Sequence, residues 1–379
     1  MQFDLPEDLQ LLQKTAREFA EAELVPYAGG WDRVEAFPSG HFQKLAELGF
    51  LGFLVPEAYG GLGLGTLAFA VVLEELNRGC ASTGVAISVH NSLVGAVVAR
   101  YGSEEQKRGY LPRLASGEML GAYAVTEAGC GSDAMALATT ATHMGGRYVL
   151  NGRKAWITNG ASAGLVVVFA TVDRSRGAKG VTAFLVEPGV KGFSVGKREK
   201  KLGIRASETV ELILDGVEVS VENRLGDEGA GSRIALEALD GGRIGIAAQA
   251  IGIARASFEA STKYARERRQ FGRPIADFQP IAWKVADMAV QIDAARLLTH
   301  RAATLRDEGK PHTLEASMAK LFASEMANRA ATDAVQIHGG AGYCREFPVE
   351  RYFRDAKVTE IYEGTSEIQR LLLSRRLLR

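Results

Sequence analysis

Apolar residues recur at helical spacing from Pro6 to about Ala28 (Leu9, Leu12, Phe19, Leu24), which predicts an amphipathic helix with Pro26 as its stop. The same periodicity predicts helices over Ser39–Leu48, Thr66–Asn77, Thr83–Tyr101 and Ser103–Leu114, separated by glycine-rich punctuation such as Tyr59–Gly65. At about Leu120 the texture changes. Runs such as GAYAVTE, RYVLNG, KAWITN, LVVVFATV, VTAFLVEP and TVELILDGVEV set β-branched and aromatic residues between Gly, Asn and Asp turns, which predicts an antiparallel β domain. Helical periodicity returns near Gly231 and covers Ser232–Arg268, Asp277–Glu308 and Thr313–Ile337. Long helices with short connections predict an antiparallel bundle. The chain is therefore mainly α with a β middle domain, divided at 1–119, 120–222 and 223–379. A doubly wound fold is excluded, because strands and helices do not alternate.

Composition narrows the function. The 379 residues, 46% apolar and 24% charged, can build the cores of two or three domains. Lys+Arg and Asp+Glu number 45 each and cancel, and the last third carries only +4, too little to trace a phosphate track. No nucleic-acid partner is expected. Cys80, Cys130 and Cys344 are scattered and odd in number, which argues against a disulfide framework or a zinc site and for a reducing compartment. The six histidines show no metal spacing, so no metal is expected. The opening MQFDLPEDLQ lacks a basic or apolar leader and reads as mature sequence. The expected location is the cytoplasm, or the mitochondrial matrix had a transit peptide been removed. The longest apolar run, Leu165–Val172, is well short of the roughly 18 residues of a membrane span.

Two motifs invite chemistry that their context denies. GASAG at Gly160–Gly164 matches a nucleophile elbow around Ser162, but a β-branched strand follows where a helix is required, so a hairpin turn is expected. GCGSDA at Gly129–Ala134 matches a dinucleotide fingerprint, yet it leads into further strands.

Four other segments fit together. AYAVTEAGCGSD (Tyr123–Asp133) is a strand followed by a glycine-rich turn able to accept a flat polar ligand. KAWITN (Lys154–Asn159) sets Trp156 and Thr158 on one strand face. ERRQFG with QIHGGAGYCREFPVERYFRD supplies Arg268 for bidentate phosphate binding, and Gly339 and Gly340 for close approach to a pyrophosphate. In EIYEGTSEIQR, Ser366 and Gln369 form a capping box, which leaves Glu363 on the turn before a helix.

These segments resemble the acyl-CoA dehydrogenase family over essentially the whole chain. VPEAYGGLG lies in the first part, AVTEAGCGSD in the second, and the pattern Q-x-x-GG-x-GY-x-x-E-x4-R-x3-D from Gln336 to Asp355 in the third. Cys130 stands where the family usually has Gly, Ser, Ala or Asn. The resemblance implies a helical N-terminal domain, an antiparallel β domain and a C-terminal four-helix bundle, assembled as a homotetramer. It implies FAD between the second and third domains. Tyr123, Val125, Thr126, Gly131, Ser132, Trp156, Ile157 and Thr158 would hold the flavin. Arg268, Gln270, Phe271, Phe278, Gln279, Gln336, Gly339 and Gly340 would hold phosphates and adenosine, partly across a subunit boundary, with Thr365 and Glu367 approaching from the last segment. Substrate contacts match Ser132, Asp240, Arg243, Tyr362 and Gly364, although Asp240 and Arg243, at i and i+3, can equally pair with each other.

The implied reaction is α,β-dehydrogenation of an acyl-CoA thioester to the trans-2-enoyl product, with electrons passed to electron-transferring flavoprotein. A glutamate takes the α-proton while its N–H polarises the thioester oxygen. Branches with the base on the Asp240–Arg243 helix are excluded by Gly241 and Gly242, which assigns the role to Glu363. Branches acting on glutaryl-CoA carry arginine at Gly84, so no dicarboxyl substrate is expected. SVHNSL, KKLGIR and LDGGRIGIAAQAIGIA look most like short-chain, butyryl-type members. The rival readings are an acyl-CoA oxidase and a non-catalytic acyl-CoA- or DNA-binding relative.

Overall fold

The computed structural model describes residues 4–378. Helix α1 (Glu7–Phe19) runs through a π-helical turn at Ala20–Leu24 into α2 (Val25–Val34). Pro26 is therefore not a stop. It sits at the start of α2, where the hydrogen-bond pattern resets and its missing N–H costs nothing. Helices α3 (Ser39–Glu47), α4 (Thr66–Gly79), α5 (Ala81–Ser88), α6 (Ala96–Tyr101) and α7 (Glu104–Ala115) complete the first part, the last capped by a Ser103–Gln106 box. A second π segment, Val89–Gly95, joins α5 to α6. The stretch Ala81–Tyr101 is longer than Leu165–Val172 and enough by length and composition to span a membrane, but 94% of its apolar window is buried inside this fold. His90 in its middle accepts from the Gly121 N–H at 2.9 Å through Nδ1, while Nε2 meets the Leu51 carbonyl at 3.0 Å. Burial lowers its pKa to about 4, so it is a neutral structural linker.

The middle part is one sheet of eight strands: β1 (Leu120–Ala124), β2 (Thr140–His143), β3 (Arg147–Thr158), β4 (Ala163–Thr171), β5 (Val181–Val186), β6 (Phe193–Arg198), β7 (Thr209–Ser220) and β8 (Arg224–Leu225). The order is β6-β7-β3-β2-β4-β5-β8, with β1 on β4. The sheet is mixed rather than antiparallel: β1 pairs parallel with β4, as does the start of β2, Thr140 with Thr171. The β2–β3 excursion between β1 and β4 is long enough to serve as the crossover that parallel pairing requires. Central β4 is buried on both faces. Leu165, Val167 and Phe169 pack against helices, and Val166, Val168 and Ala170 against the rest of the sheet, which is why its sequence reads as a continuous apolar run. The Ser162 turn joins β3 to β4, but those strands are separated by β2, so it is not a hairpin; the Ser162 hydroxyl donates to Glu208 at 2.7 Å.

The last part holds α8 (Gly231–Glu267), a short hairpin β9 (Arg269–Gln270) and β10 (Arg273–Pro274), α9 (Gln279–Asp307), α10 (Thr313–His338), α11 (Val349–Lys357) and α12 (Ser366–Leu377). Helices α8, α9 and α10 pack on one another, α12 lies along α10, and α4 packs along α8. Asp355, which ends the Gln336 signature, accepts from the Ile204 N–H at 2.5 Å and pins the middle part to the bundle.

Candidate active site

The turn between the 3-10 segment Val358–Glu360 and α12 carries Glu363 and Gly364, both in the left-handed region with φ of 50° and 95°. Helix α12 starts one residue earlier than the predicted capping box implies. Thr365 is the N-cap and accepts from the Ile368 N–H at 3.3 Å, while Gln369 turns back and donates to the carbonyls of Gly364 (3.1 Å) and Glu363 (3.4 Å). The side-chain amide thus stabilises the turn rather than the helix start.

Glu363 projects toward α8. Its Oε2 is buried and has no hydrogen-bond partner among the described residues. Burial pushes the carboxyl up to about 7, against the opposing pull of Lys320 and Arg243. Gly242 makes room for it: a Cβ there would collide with Oε2 and stand 3.2 Å from Leu93 Cδ2. On the same helix, Arg243 donates to Asp240 at 2.5 Å, and Asp240 accepts from the Thr313 hydroxyl at 2.6 Å. The i, i+3 pair therefore forms, yet Arg243 Nε stays buried and unpartnered. Burial lowers the Arg243 pKa. Tyr123, from β1, completes the enclosure: burial and the Glu363 carboxylate raise its hydroxyl well above the usual tyrosine value. Tyr362 donates to buried Gln249 of α8, which ties the turn to the bundle.

The first two segments meet at the rim. The Ala155 N–H donates to the Thr126 carbonyl at 2.9 Å, and buried Lys154 donates to Glu127 at 2.7 Å and to the Val125 carbonyl at 3.1 Å. A bulge at Lys154–Ile157 gives Trp156 a φ of 55°. It leaves the indole 55% exposed, with Ile157 buried beneath and Thr158 half-buried beyond. Val125 is buried, and Gly131 and Ser132 are exposed on the turn. Cys130 is accommodated there, its thiol donating to the Asp133 carbonyl at 2.9 Å. The remaining predicted ligands lie apart. Arg268, Gln270, Phe271, Gln279, Gln336, Gly339 and Gly340 are exposed at the hairpin and the end of α10, with Phe278 half-buried against Phe271. Phe271 is 92% exposed, and open space faces Gly339 and Gly340. Thr365 and Glu367 flank the start of α12.

Besides the buried Lys154, sequence reading missed two cations. Lys320 of α10 has no exposed surface and donates to the Gly364 carbonyl at 2.7 Å. Arg306 of α9 lies against Gly241 with Nη1 buried and unpaired. A signal for Lys320 was present: Ala316, Ala319, Ala323 and Ala327 place it in the middle of a buried helical face.

A carboxyl with a buried Oε2 where the sheet meets the helical bundle, beside a guanidinium that keeps its Nε unpartnered among the described residues, defines a site for proton abstraction next to an activated carbonyl. Three family models agree with that class: acyl-CoA dehydrogenase N-terminal domain over residues 6–118, middle domain over 122–217 and C-terminal domain over 229–378. The chain is 52% identical over 376 residues to the mitochondrial short-chain specific acyl-CoA dehydrogenase of Rattus norvegicus, covering 99% of this chain and 91% of that protein. It superposes on butyryl-CoA dehydrogenase from Megasphaera elsdenii with a TM-score of 0.98 at 44% identity over the whole of both chains. A chain in the structure of the electron transferring flavoprotein of Acidaminococcus fermentans gives 0.99 at 48% identity, again over both whole chains. The protein belongs to the acyl-CoA dehydrogenase family.

Proposed function

We propose that this chain is an FAD-dependent dehydrogenase of short- to medium-chain acyl-CoA thioesters, with Glu363 as the base. The observation that carries the reading is the sealed, partnerless Oε2 of Glu363, held near pH 7 in its titration. A carboxylate poised there removes a proton far better than one near the solution reference of about 4.3. The flavin site fits the residues present: exposed Trp156 beside the Thr126 main chain, and unobstructed backbone at Gly131, Gly339 and Gly340. FAD bound there supplies the hydride acceptor. The protein supplies the rest. Glu363 takes the α-proton, its N–H polarises the thioester oxygen, and the surrounding α8, β1 and π-segment residues exclude water from Oε2. Gly84 is packed against Asn77, which leaves no room for the arginine of glutaryl-type branches and supports a monocarboxyl substrate.

A homotetramer is part of the proposal. Trp283, Val290 and Leu297 recur every seven residues along α9 and remain 60%, 70% and 42% exposed, an apolar stripe suited to a second copy. The projecting Phe271 hairpin suits a cofactor site shared between copies. Electron-transferring flavoprotein is the proposed acceptor, and the cytoplasm or mitochondrial matrix the proposed location, in keeping with the free thiols of Cys80, Cys130 and Cys344. The test is to purify the protein, measure FAD per chain, and compare butyryl-CoA, palmitoyl-CoA and glutaryl-CoA as substrates with electron-transferring flavoprotein or oxygen as acceptor. One FAD per chain, a preference for butyryl-CoA and faster reoxidation by the flavoprotein are expected. A folded preparation that takes up no FAD refutes the reading.

A further inference from the structure

We infer that Lys320 is a positioning residue for the base: its ammonium holds the Gly364 carbonyl, and thereby fixes the Glu363–Gly364 turn and favours the ionised carboxylate. The inference rests on Glu363 being the base. A non-glycine residue at φ 50°, followed by a glycine at φ 95°, persists only where its surroundings over-determine it. Two buried side chains do so here. Lys320 donates to the Gly364 carbonyl at 2.7 Å, and Gln369 donates to the same carbonyl at 3.1 Å and to that of Glu363 at 3.4 Å. Either an amide or a hydroxyl could pin a carbonyl at far lower desolvation cost than an ammonium, so the charge itself calls for an explanation.

The surroundings of Lys320 supply one. Charged groups facing it are Glu363, Arg243, Glu360 and Glu367. Those facing Glu363 are Lys320 from α10, Arg243 from α8, and the hydroxyls of Tyr123 and Tyr362. Arg243 is already paired with Asp240, whereas Lys320 is hydrogen-bonded only to a neutral carbonyl. Its charge acts on the Glu363 carboxylate from beyond ion-pair distance, as the largest electrostatic pull toward ionisation of that group. Burial lowers Lys320 to about 8, which still leaves it a cation over the range where Glu363 titrates.

The test compares the holoenzyme with Lys320→Met and Lys320→Gln in anaerobic flavin reduction by butyryl-CoA across pH 5.5 to 9, with Glu363→Gln as control. Loss of the cation should move the acid limb of both variants upward by about one unit. Lys320→Met, which also loses the carbonyl contact, should reduce the limiting rate by about 10- to 100-fold through misplacement of the base. Lys320→Gln, able to donate to Gly364, should lose less. FAD content and the butyryl-CoA KM should stay within a few-fold. Variants that keep the parent's acid limb overturn the inference, and so does loss of fold or FAD in both, which would make Lys320 merely structural. An active Glu363→Gln control would instead overturn the assignment of the base.

Discussion

Replacing Gly242 with alanine adds one methyl group at the floor of the Glu363 carboxylate. The new Cβ would overlap Oε2 and press on Leu93 Cδ2 at 3.2 Å. Carbon and oxygen in contact need more than about 3 Å, and the overlapped atom is the far end of a flexible side chain, so the cheapest relief is for the carboxylate to swing away by about 1–2 Å. Misplacing a reacting group by about 1 Å can cost about 100-fold. Gly242→Ala should therefore fold, retain FAD, and reduce its flavin with butyryl-CoA at least about 100-fold more slowly. Single-turnover stopped flow reads the step directly, without interference from product release. A variant within threefold of the parent would show that Oε2 in its observed position is not the acting base, and the steric argument would fail.

Three further outcomes follow from the same geometry. The rate of flavin reduction at low substrate should fall tenfold per pH unit below about 7, because Glu363 must be ionised and burial holds its carboxyl there; a rate flat down to pH 5.5 contradicts this. A carboxyl raised from 4.5 to about 7 binds its proton more tightly when folded, so the parent loses stability as pH rises through that window. Glu363→Gln should melt with the parent at pH 4.5 and above it at pH 8.5, by at most about 3 kcal/mol; equal midpoints at both pH values refute the shift. Lys154→Met strands buried Glu127, which accepts from the Ala138 and Thr139 N–H groups, and should cost about 3–5 kcal/mol and weaken FAD retention, read by thermal midpoint and flavin absorbance.

Much of this was legible because local periodicity coincides with tertiary burial. Long helices α8, α9 and α10 and the shift to strands at Leu120 follow directly from spacing. The parallel placement of β1 was not legible, since strand direction across an excursion is settled by packing and not by either strand's own residues. Pro26 misled because a π-helical turn precedes it, an irregularity with no pattern of its own. Ser366 and Gln369 met the capping-box spacing, but the left-handed Glu363–Gly364 turn offered Gln369 two buried carbonyls instead. Glu363 was singled out through its motif, and the fold sets it on a left-handed turn with Oε2 buried. Lys320 and Lys154 were missed because a lysine reads as surface, although each falls on a buried face, of a helix in one case and a strand in the other. Glu127, engaged by the Lys154 ammonium and by the Ala138 and Thr139 N–H groups, is a buried strut between β3 and the segment that follows β1.

The central claim is that Glu363 removes the α-proton, and the most direct measurement is anaerobic bleaching of the bound flavin by butyryl-CoA in Glu363→Gln. The amide keeps the size of the carboxylate and takes away its basicity. The account predicts a folded variant with full FAD content that still binds the thioester, and a bleaching rate about 10²- to 10⁴-fold below the parent's. Bleaching within a few-fold of the parent would contradict it and place the base elsewhere.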